Sequence, residues 1–197
     1  LRLAPRGPRE TARALEAIER NVKAQAQLIE DLLDVSRIIS GKMRLDIQRV
    51  DIEQVIHRAA ESVAPAVAAK ELRLDVCVDP DARPMLGDPN RLQQVVWNLL
   101  SNAAKFTEAG GQIAVRAATV GNTMEIEVTD TGAGIAPEYL PHIFERFRQG
   151  DSTTTRGHGG LGLGLSIVRN IVEMHGGSIS AECDGKGEGA RFLVRLP

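Results

Sequence analysis

Asn98, Asn102 and Lys105 fall at i, i+4 and i+7 of a stretch that reads as helix. That spacing sets two amides and an ammonium in one row beside an apolar stripe. Asn is a poor helix-interior residue, because its side chain competes for backbone hydrogen bonds. A pair of them followed by Lys suits a ligand that carries oxygens and a metal. An amide carbonyl is a hard oxygen donor for Mg²⁺, and a lysine meets phosphate as a point charge. A solvated helix face fits the same pattern.

Two glycine-containing segments follow. Asp130-Thr131-Gly132-Ala133-Gly134-Ile135 stands directly after an alternating segment. A carboxylate at a strand end, beside glycines that allow close backbone approach, can accept a hydrogen bond from a flat ligand. A plain Asx turn fits as well. Further on, Gly157-His158-Gly159-Gly160-Leu161-Gly162-Leu163-Gly164-Leu165 runs into a helical pattern. Backbone N–H groups at a helix start bind phosphate. Gly157, Gly159 and Gly162 have GxGxxG spacing, but a dinucleotide fold requires a strand immediately before it, and Thr153 to Arg156 is polar loop. A P-loop is excluded too, since neither Gly41-Lys42 nor Gly185-Lys186 is followed by Ser or Thr. Taken together, the three features supply a metal ligand, a base-edge acceptor and a phosphate cradle, without a Walker motif.

The elements that must position these groups can be read around them. Asp88-Pro89 opens a helix to about Phe106, with an N-cap and a proline in the first turn, and Leu92, Val95, Val96, Leu99, Ala103 and Phe106 as its core stripe. Gln112 to Thr119 and Met124 to Asp130 alternate as strands about the hairpin signal Gly121-Asn122. Upstream, Lys42 to Val50 and Leu72 to Val78 alternate, and Asp51 caps a helix to about Ala69. Downstream come a short helix over Pro137 to Phe144, a polar loop over Gln149 to Gly160 and a helix over Leu163 to His175. Strands over Ser178 to Glu182 and Ala190 to Leu196 close the chain. The expected class is α+β, a two-layer α/β sandwich in which a mixed sheet is covered on one face by helices. Before it, Leu15, Ile18, Val22, Ile29, Leu32, Val35 and Ile39 recur at three- and four-residue steps from Pro8 to Ser40. That is one long amphipathic helix whose narrow seam needs a partner helix. The expected organisation is therefore an appended helix over 1–41 and a globular domain over 42–197.

Composition narrows the function. The 197 residues carry 24 Lys+Arg against 26 Asp+Glu, a net charge of −2, and 3% aromatics. A nucleic-acid binder would show a basic face or a stacking platform, so nucleic acid is not an expected partner. Cys77 and Cys183 form no CxxC pair and are expected as small buried thiols. No apolar run approaches the roughly 18 residues of a membrane span, which suits a cytoplasmic, soluble chain.

In this order the motifs resemble those of the bacterial sensor histidine kinases of two-component signalling. Asn98-Leu99-Leu100-Ser101-Asn102-Ala103-Ala104-Lys105-Phe106-Thr107 resembles their N box, Asp130-Thr131-Gly132-Ala133-Gly134 the G1 box and Phe144-Glu145-Arg146-Phe147 the F box. Gly160-Leu161-Gly162-Leu163-Gly164-Leu165 resembles the G2 box. The resemblance implies a Bergerat-type, GHKL-superfamily ATP-binding sandwich. It implies Asn102 on Mg²⁺, Asn98 and Lys105 near the phosphates, and Asp130 on the adenine amino group. Gly132, Gly134, Gly160, Gly162, Leu163 and Gly164 would line the nucleotide, 144–164 would form a lid, and Arg146 or Arg148 would reach phosphate. It further implies a homodimer through hairpin helices, a response-regulator receiver domain as partner, and membrane contact only through upstream regions. Asp31-Leu32-Leu33-Asp34-Val35-Ser36-Arg37 resembles the second helix of the dimerisation hairpin.

One departure from the family and one contrast with its ATPase relatives sharpen this. The family's phosphoacceptor is a His followed by an acid, Arg and Pro. None of His57, His142, His158 and His175 has that context, so the acceptor helix is expected before Leu1. Gyrase-type and mismatch-repair ATPases place a Glu where this chain has Asn98. A neutral amide cannot act as general base, so phosphoryl transfer is expected in preference to hydrolysis.

Overall fold

The computed structural model describes residues 7–148, 161–183, 185 and 187–197. The chain divides into two compact units, Leu1–Lys42 and Met43–Pro197.

The first unit is the helix α1 (Pro8–Ile39), with proline in its first turn. It ends where the Ser40 hydroxyl donates back to the Ser36 carbonyl at 2.8 Å and Gly41 turns into the left-handed region at φ +64°. Leu15, Ile18, Val22, Ile29, Leu32 and Ile39 stand exposed along it.

The second unit contains β1 (Gln48–Val50), α2 (Ile52–Ala69), β2 (Arg73–Val78), β3 (Met85–Gly87) and α3 (Pro89–Phe106). There follow β4 (Gln112–Val120), β5 (Thr123–Asp130), α4 (Gly164–Met174), β6 (Ser178–Glu182) and β7 (Ala190–Leu196). Five strands make one sheet in the order β2-β4-β5-β7-β6, with β2 parallel to β4 and the other pairs antiparallel. β1 and β3 form a separate two-stranded ribbon.

Strand alternation sorts the two faces. Ile113, Val115, Ala117, Met124, Ile126, Val128, Val194 and Leu196 are buried, and α2, α3 and α4 pack as a layer on the sheet. The facing stripes of those helices are Ile52, Val55, Ile56, Ala59 and Val63 in α2, and Ile167, Val168, Ile171 and Val172 in α4. The opposite sheet face carries cross-strand ion pairs, Arg191 with Glu127 and Glu182 and Arg195 with Glu125. This is the expected two-layer α/β sandwich.

Four local expectations are corrected. The strand foreseen over Lys42 to Val50 pairs only over its last three residues, because its partner β3 offers three. The helix foreseen over Pro137 to Phe144 is reduced to a 3₁₀ turn at Leu140–His142. Pro137 and Pro141 lack the N–H groups an α ladder needs. Phe106 closes α3 with its ring exposed and outside the core. Cys77 is exposed, since the alternation of β2 sets it on one face with Arg73 and Asp75.

Candidate functional site

α3 begins on a doubly used carboxylate. Asp88 Oδ1 accepts from the amides of Asn90 and Arg91 at 3.0 and 3.1 Å, while Oδ2 accepts from Asp46 N–H at 3.0 Å. Asp88 N–H in turn donates to His175 Nε2 at 3.0 Å. His175 Nδ1 lies 2.7 Å from the Ile171 carbonyl and must donate to it, so the ring is neutral with the proton on Nδ1. The histidine thus pins the end of α4 to the start of α3, a role its sequence context did not reveal.

Along α3, Leu92, Val95, Val96, Leu99 and Leu100 are fully buried and fix the helix rotation. Asn98 is buried beside them, whereas Asn102 and Lys105 are half-buried. The Asn98 amide donates to the Gln94 carbonyl at 3.1 Å. Its Oδ1 lies under the first residue of α4, where a Cβ on Gly164 would come within 2.8 Å of it. Lys105 holds its ammonium 4.8 Å from the centre of the Phe106 ring. Burial pushes the Lys105 pKa below its usual 10.5. Among the described residues, Lys105 has no carboxylate partner.

The second wall is the turn after β5. Asp130 Oδ1 accepts from Gly132 N–H at 2.8 Å. Burial raises the Asp130 carboxyl above its usual 3.8, and the amides of Gly132 and Ala190 pull it partly back. Gly132 is required by close approach, because a Cβ there would stand 2.6 Å from the Phe106 carbonyl and 2.7 Å from Asp130 Oδ1. Ala133 N–H donates to that Phe106 carbonyl at 3.1 Å, which joins the turn to the end of α3.

The β6–β7 loop holds the turn from outside. Gly187 N–H donates to the Ala133 carbonyl at 2.8 Å and Gly189 N–H to the Gly132 carbonyl at 3.2 Å. Gly134, at φ +68°, packs directly against the Gly185 carbonyl. Cys183 Sγ accepts from Ile135 N–H at 3.0 Å. It also lies 3.1 and 2.9 Å from the carbonyls of Gly185 and Gly189. The half-buried thiol therefore knots two loops, a role that no cysteine spacing signals.

The third feature is described in part. Gly160 and the polar loop Gln149 to Gly160 lie outside the described residues. Gly162, at φ +68°, packs against the Arg148 backbone, and its carbonyl accepts from Phe147 N–H at 3.0 Å. Phe147 is itself left-handed at φ +62°, unusual for a residue with a bulky side chain. Leu163 is buried, and its carbonyl accepts from Ile167 N–H and the Ser166 hydroxyl. Arg148 is exposed and donates to Glu145 at 2.9 Å. Hydrogen bonds from His142 and then Arg148 hold the Glu145 carboxyl below its usual range. Arg146, also exposed, helps to line a cavity of about 370 Å³ with Phe144, Ser166 and Asn170.

The end of α3 and the turn after β5 thus carry a half-buried acceptor at Asp130, a buried glycine at Gly132 that packs the turn on the Phe106 carbonyl, a half-buried amide at Asn102 and, among the described residues, a Lys105 ammonium without a carboxylate partner. That set suits a nucleotide: a base edge at one end, phosphates and their counter-ion at the other. Residues 87–197 match the family described as histidine kinase-, DNA gyrase B-, and HSP90-like ATPase. The chain belongs to this family. Within it, curated relatives and a solved structure that resemble the chain are named as histidine kinases. It is 37% identical over 93% of its length to hybrid signal transduction histidine kinase D of Dictyostelium discoideum, covering 14% of that protein. It is 35% identical over 96% of its length to the sensor histidine kinase RcsC of Escherichia coli, covering 20% of that protein. The chain therefore spans a quarter or less of the curated relatives it matches. Among solved structures, full-length ShkA in complex with AMPPNP has a TM-score of 0.81 at 29% identity, covering 100% of this chain and 40% of that one. The mycobacterial sensor histidine kinase MprB has a TM-score of 0.67 at 32% identity, covering 76% of this chain and 96% of that one.

Proposed function

We propose that this chain binds Mg²⁺·ATP and donates the γ-phosphoryl group to a histidine outside residues 1–197, for onward transfer to a response-regulator aspartate. The observation that carries this reading is Asn98. The position where a hydrolytic enzyme of this fold needs a general base holds a neutral amide, buried and already donating to the Gln94 carbonyl. It has no lone pair basic enough to take a proton from water.

The roles follow from the chemistry of each group. Asp130 would accept a hydrogen bond from the adenine amino group, and Gly132 lets the turn that carries it pack on the Phe106 carbonyl. Lys105 offsets phosphate charge, with its desolvated ammonium strengthened by the low local dielectric. Asn102 presents its carbonyl oxygen to the divalent ion. Among the described residues, no group of three or more His, Cys, Asp or Glu is placed to hold a metal alone. That suits Mg²⁺, which keeps water and phosphate oxygens in its shell and takes few protein ligands. When bound, the ion neutralises charge on the phosphates; the protein otherwise positions them for a loose, in-line transfer. Gly162, Leu163 and Gly164, which lead into α4, would supply backbone amides to the phosphates, with Gly134, Arg146 and Arg148 as further contacts; Gly160, expected beside them, lies outside the described residues.

The exposed stripe of α1 supports a role as a dimerisation-hairpin helix over 1–41, joined to a catalytic domain over 42–197. No described helix is long and apolar enough to cross a membrane. A cytoplasmic setting, a homodimer and a receiver-domain partner complete the proposal; nucleic acid and membrane are not among the partners of these residues.

Calorimetric titration with a non-hydrolysable ATP analogue tests the reading. Binding that weakens at least tenfold when Mg²⁺ is replaced by chelator is expected. No binding in either buffer contradicts it.

A further inference from the structure

α3 presents the site's amides and lysine, so its C-terminal end must stay put when phosphates pull on Lys105. The last carbonyls of a helix have no partner within it and must find one elsewhere. Here every one is taken. The Ala103 carbonyl accepts from Thr107 N–H at 3.0 Å and from the Thr107 hydroxyl at 2.7 Å. The Phe106 carbonyl accepts from Ala133 of the Asp130 turn at 3.1 Å. The other two, of Ala104 and Lys105, converge with the carbonyl of the C-cap residue Thr107 on one side chain. Lys70 Nζ donates to the carbonyls of Ala104 at 2.9 Å, Lys105 at 2.7 Å and Thr107 at 2.9 Å.

An ammonium has three protons, and all three are used. A cation at a helix C-terminus also opposes the negative end of the dipole. The backbone around Lys70 is set for this reach. Lys70 caps α2, with its amide bonded to the Val67 and Ala68 carbonyls. Glu71 follows at φ +53°, a left-handed conformation that a non-glycine residue adopts at a cost. The Lys70 carbonyl accepts from Gly110 N–H at 3.0 Å, which ties the same residue to the loop after α3. One residue thus gathers the end of α2, the end of α3 and the following loop, although 34 to 37 positions separate it from the carbonyls it caps.

We propose that Lys70 is a positioning residue of the nucleotide site: by capping the last turn of α3 it sets Lys105 and, through the Phe106 carbonyl, the Asp130–Gly132 turn. It touches no nucleotide and acts only through that turn. The inference rests on the nucleotide-binding reading above. Loss of the cap frees three carbonyls at once and lets the last turn fray, which shifts both walls of the site together.

The test compares wild type, Lys70→Met and Lys70→Arg by calorimetric titration with the same ATP analogue in Mg²⁺, well below each melting temperature. Met keeps the stem without donors, whereas Arg keeps charge and donors. Lys70→Met is expected to bind about tenfold or more weakly while folded, the loss expected when a charged contact such as that of Lys105 or Asp130 is displaced. Lys70→Arg, which keeps the charge and some donors at the helix end, is expected to recover at least about threefold of the affinity lost in Lys70→Met. A lower melting temperature with unchanged affinity in folded Lys70→Met would reduce Lys70 to a structural prop and overturn the proposal. Failure of wild type to bind would overturn the nucleotide reading instead. Should Lys70→Met not fold, amide exchange in Lys70→Gln decides. Faster exchange at Ala133 than in wild type, with Val194 unchanged, supports the proposal; equal protection at Ala133 refutes it.

Discussion

Replacing Asp130 by Asn separates what the carboxylate does for the ligand from what it does for the fold. The side chain keeps its size. Its amide oxygen can still accept from Gly132 N–H, the bond that runs at 2.8 Å in the native turn. What is lost is the second acceptor, which becomes an NH₂ group and, in the proposed binding mode, meets the adenine amino group donor to donor. Loss of a charge-assisted hydrogen bond costs about 1.5–3 kcal/mol, or about ten- to a hundredfold in affinity for ATP. The effect on the empty protein has the opposite sign. Burial raises the Asp130 pKa, so the folded state disfavours the ionised form. Stability therefore falls as pH rises from the unfolded value near 3.8 through the higher folded value, and stays lower above it. Asn does not titrate. The variant should melt no lower than wild type at pH 7 and lose the Asp130 share of the pH dependence in that acidic window, where the other carboxylates still titrate. In wild type, ATP affinity should begin to fall on acidification at a pH above 3.8, as the acceptor becomes protonated. Calorimetry with ATP across pH 3.5 to 7, run beside thermal melts over the same range, reads all three. A folded Asp130→Asn protein that binds ATP within twofold of wild type would refute the assignment.

Gly132→Ala should destabilise the domain by about 1–3 kcal/mol through overpacking, because its methyl would meet the Phe106 carbonyl and Asp130 Oδ1 at 2.6 and 2.7 Å. Urea denaturation measures the loss, and a wild-type midpoint would show that the turn has slack. His175→Phe should cost about 1–3 kcal/mol by leaving Asp88 N–H without its acceptor. The same assay at pH 8 checks it, and an unchanged midpoint would mean that water replaces the ring.

How far the sequence reaches depends on whether a feature is local. The hairpin of β4 and β5 is legible from alternation about Gly121-Asn122, and α3 from the cap and proline at Asp88-Pro89, because both signals lie within a few residues of their effect. The order of Asn98, Asn102, Lys105, Asp130 and the glycines is legible for the same reason. The shortness of β1 is not, since Met43, Leu45 and Ile47 alternate properly and only the three-residue partner β3 limits pairing. Phe106 keeps the helical period yet leaves the core, because the helix ends there and its carbonyl turns to Ala133. Lys70, His175 and Cys183 reach across 34 to 87 positions to backbone groups. Backbone acceptors and donors are the same at every residue, so no periodicity marks the side chain that will meet them.

The central claim is that this domain holds the γ-phosphoryl of ATP for a protein acceptor and not for water. Incubation of the 197-residue chain with γ-labelled ATP and Mg²⁺, followed by quantification of protein-bound label and released phosphate, tests it most directly. Bound ATP with neither acid-labile label on the chain nor phosphate release above the solution background is the result predicted. Sustained release would mean that the site activates water despite Asn98, and acid-labile label on the chain would mean that one of its four histidines is an acceptor after all.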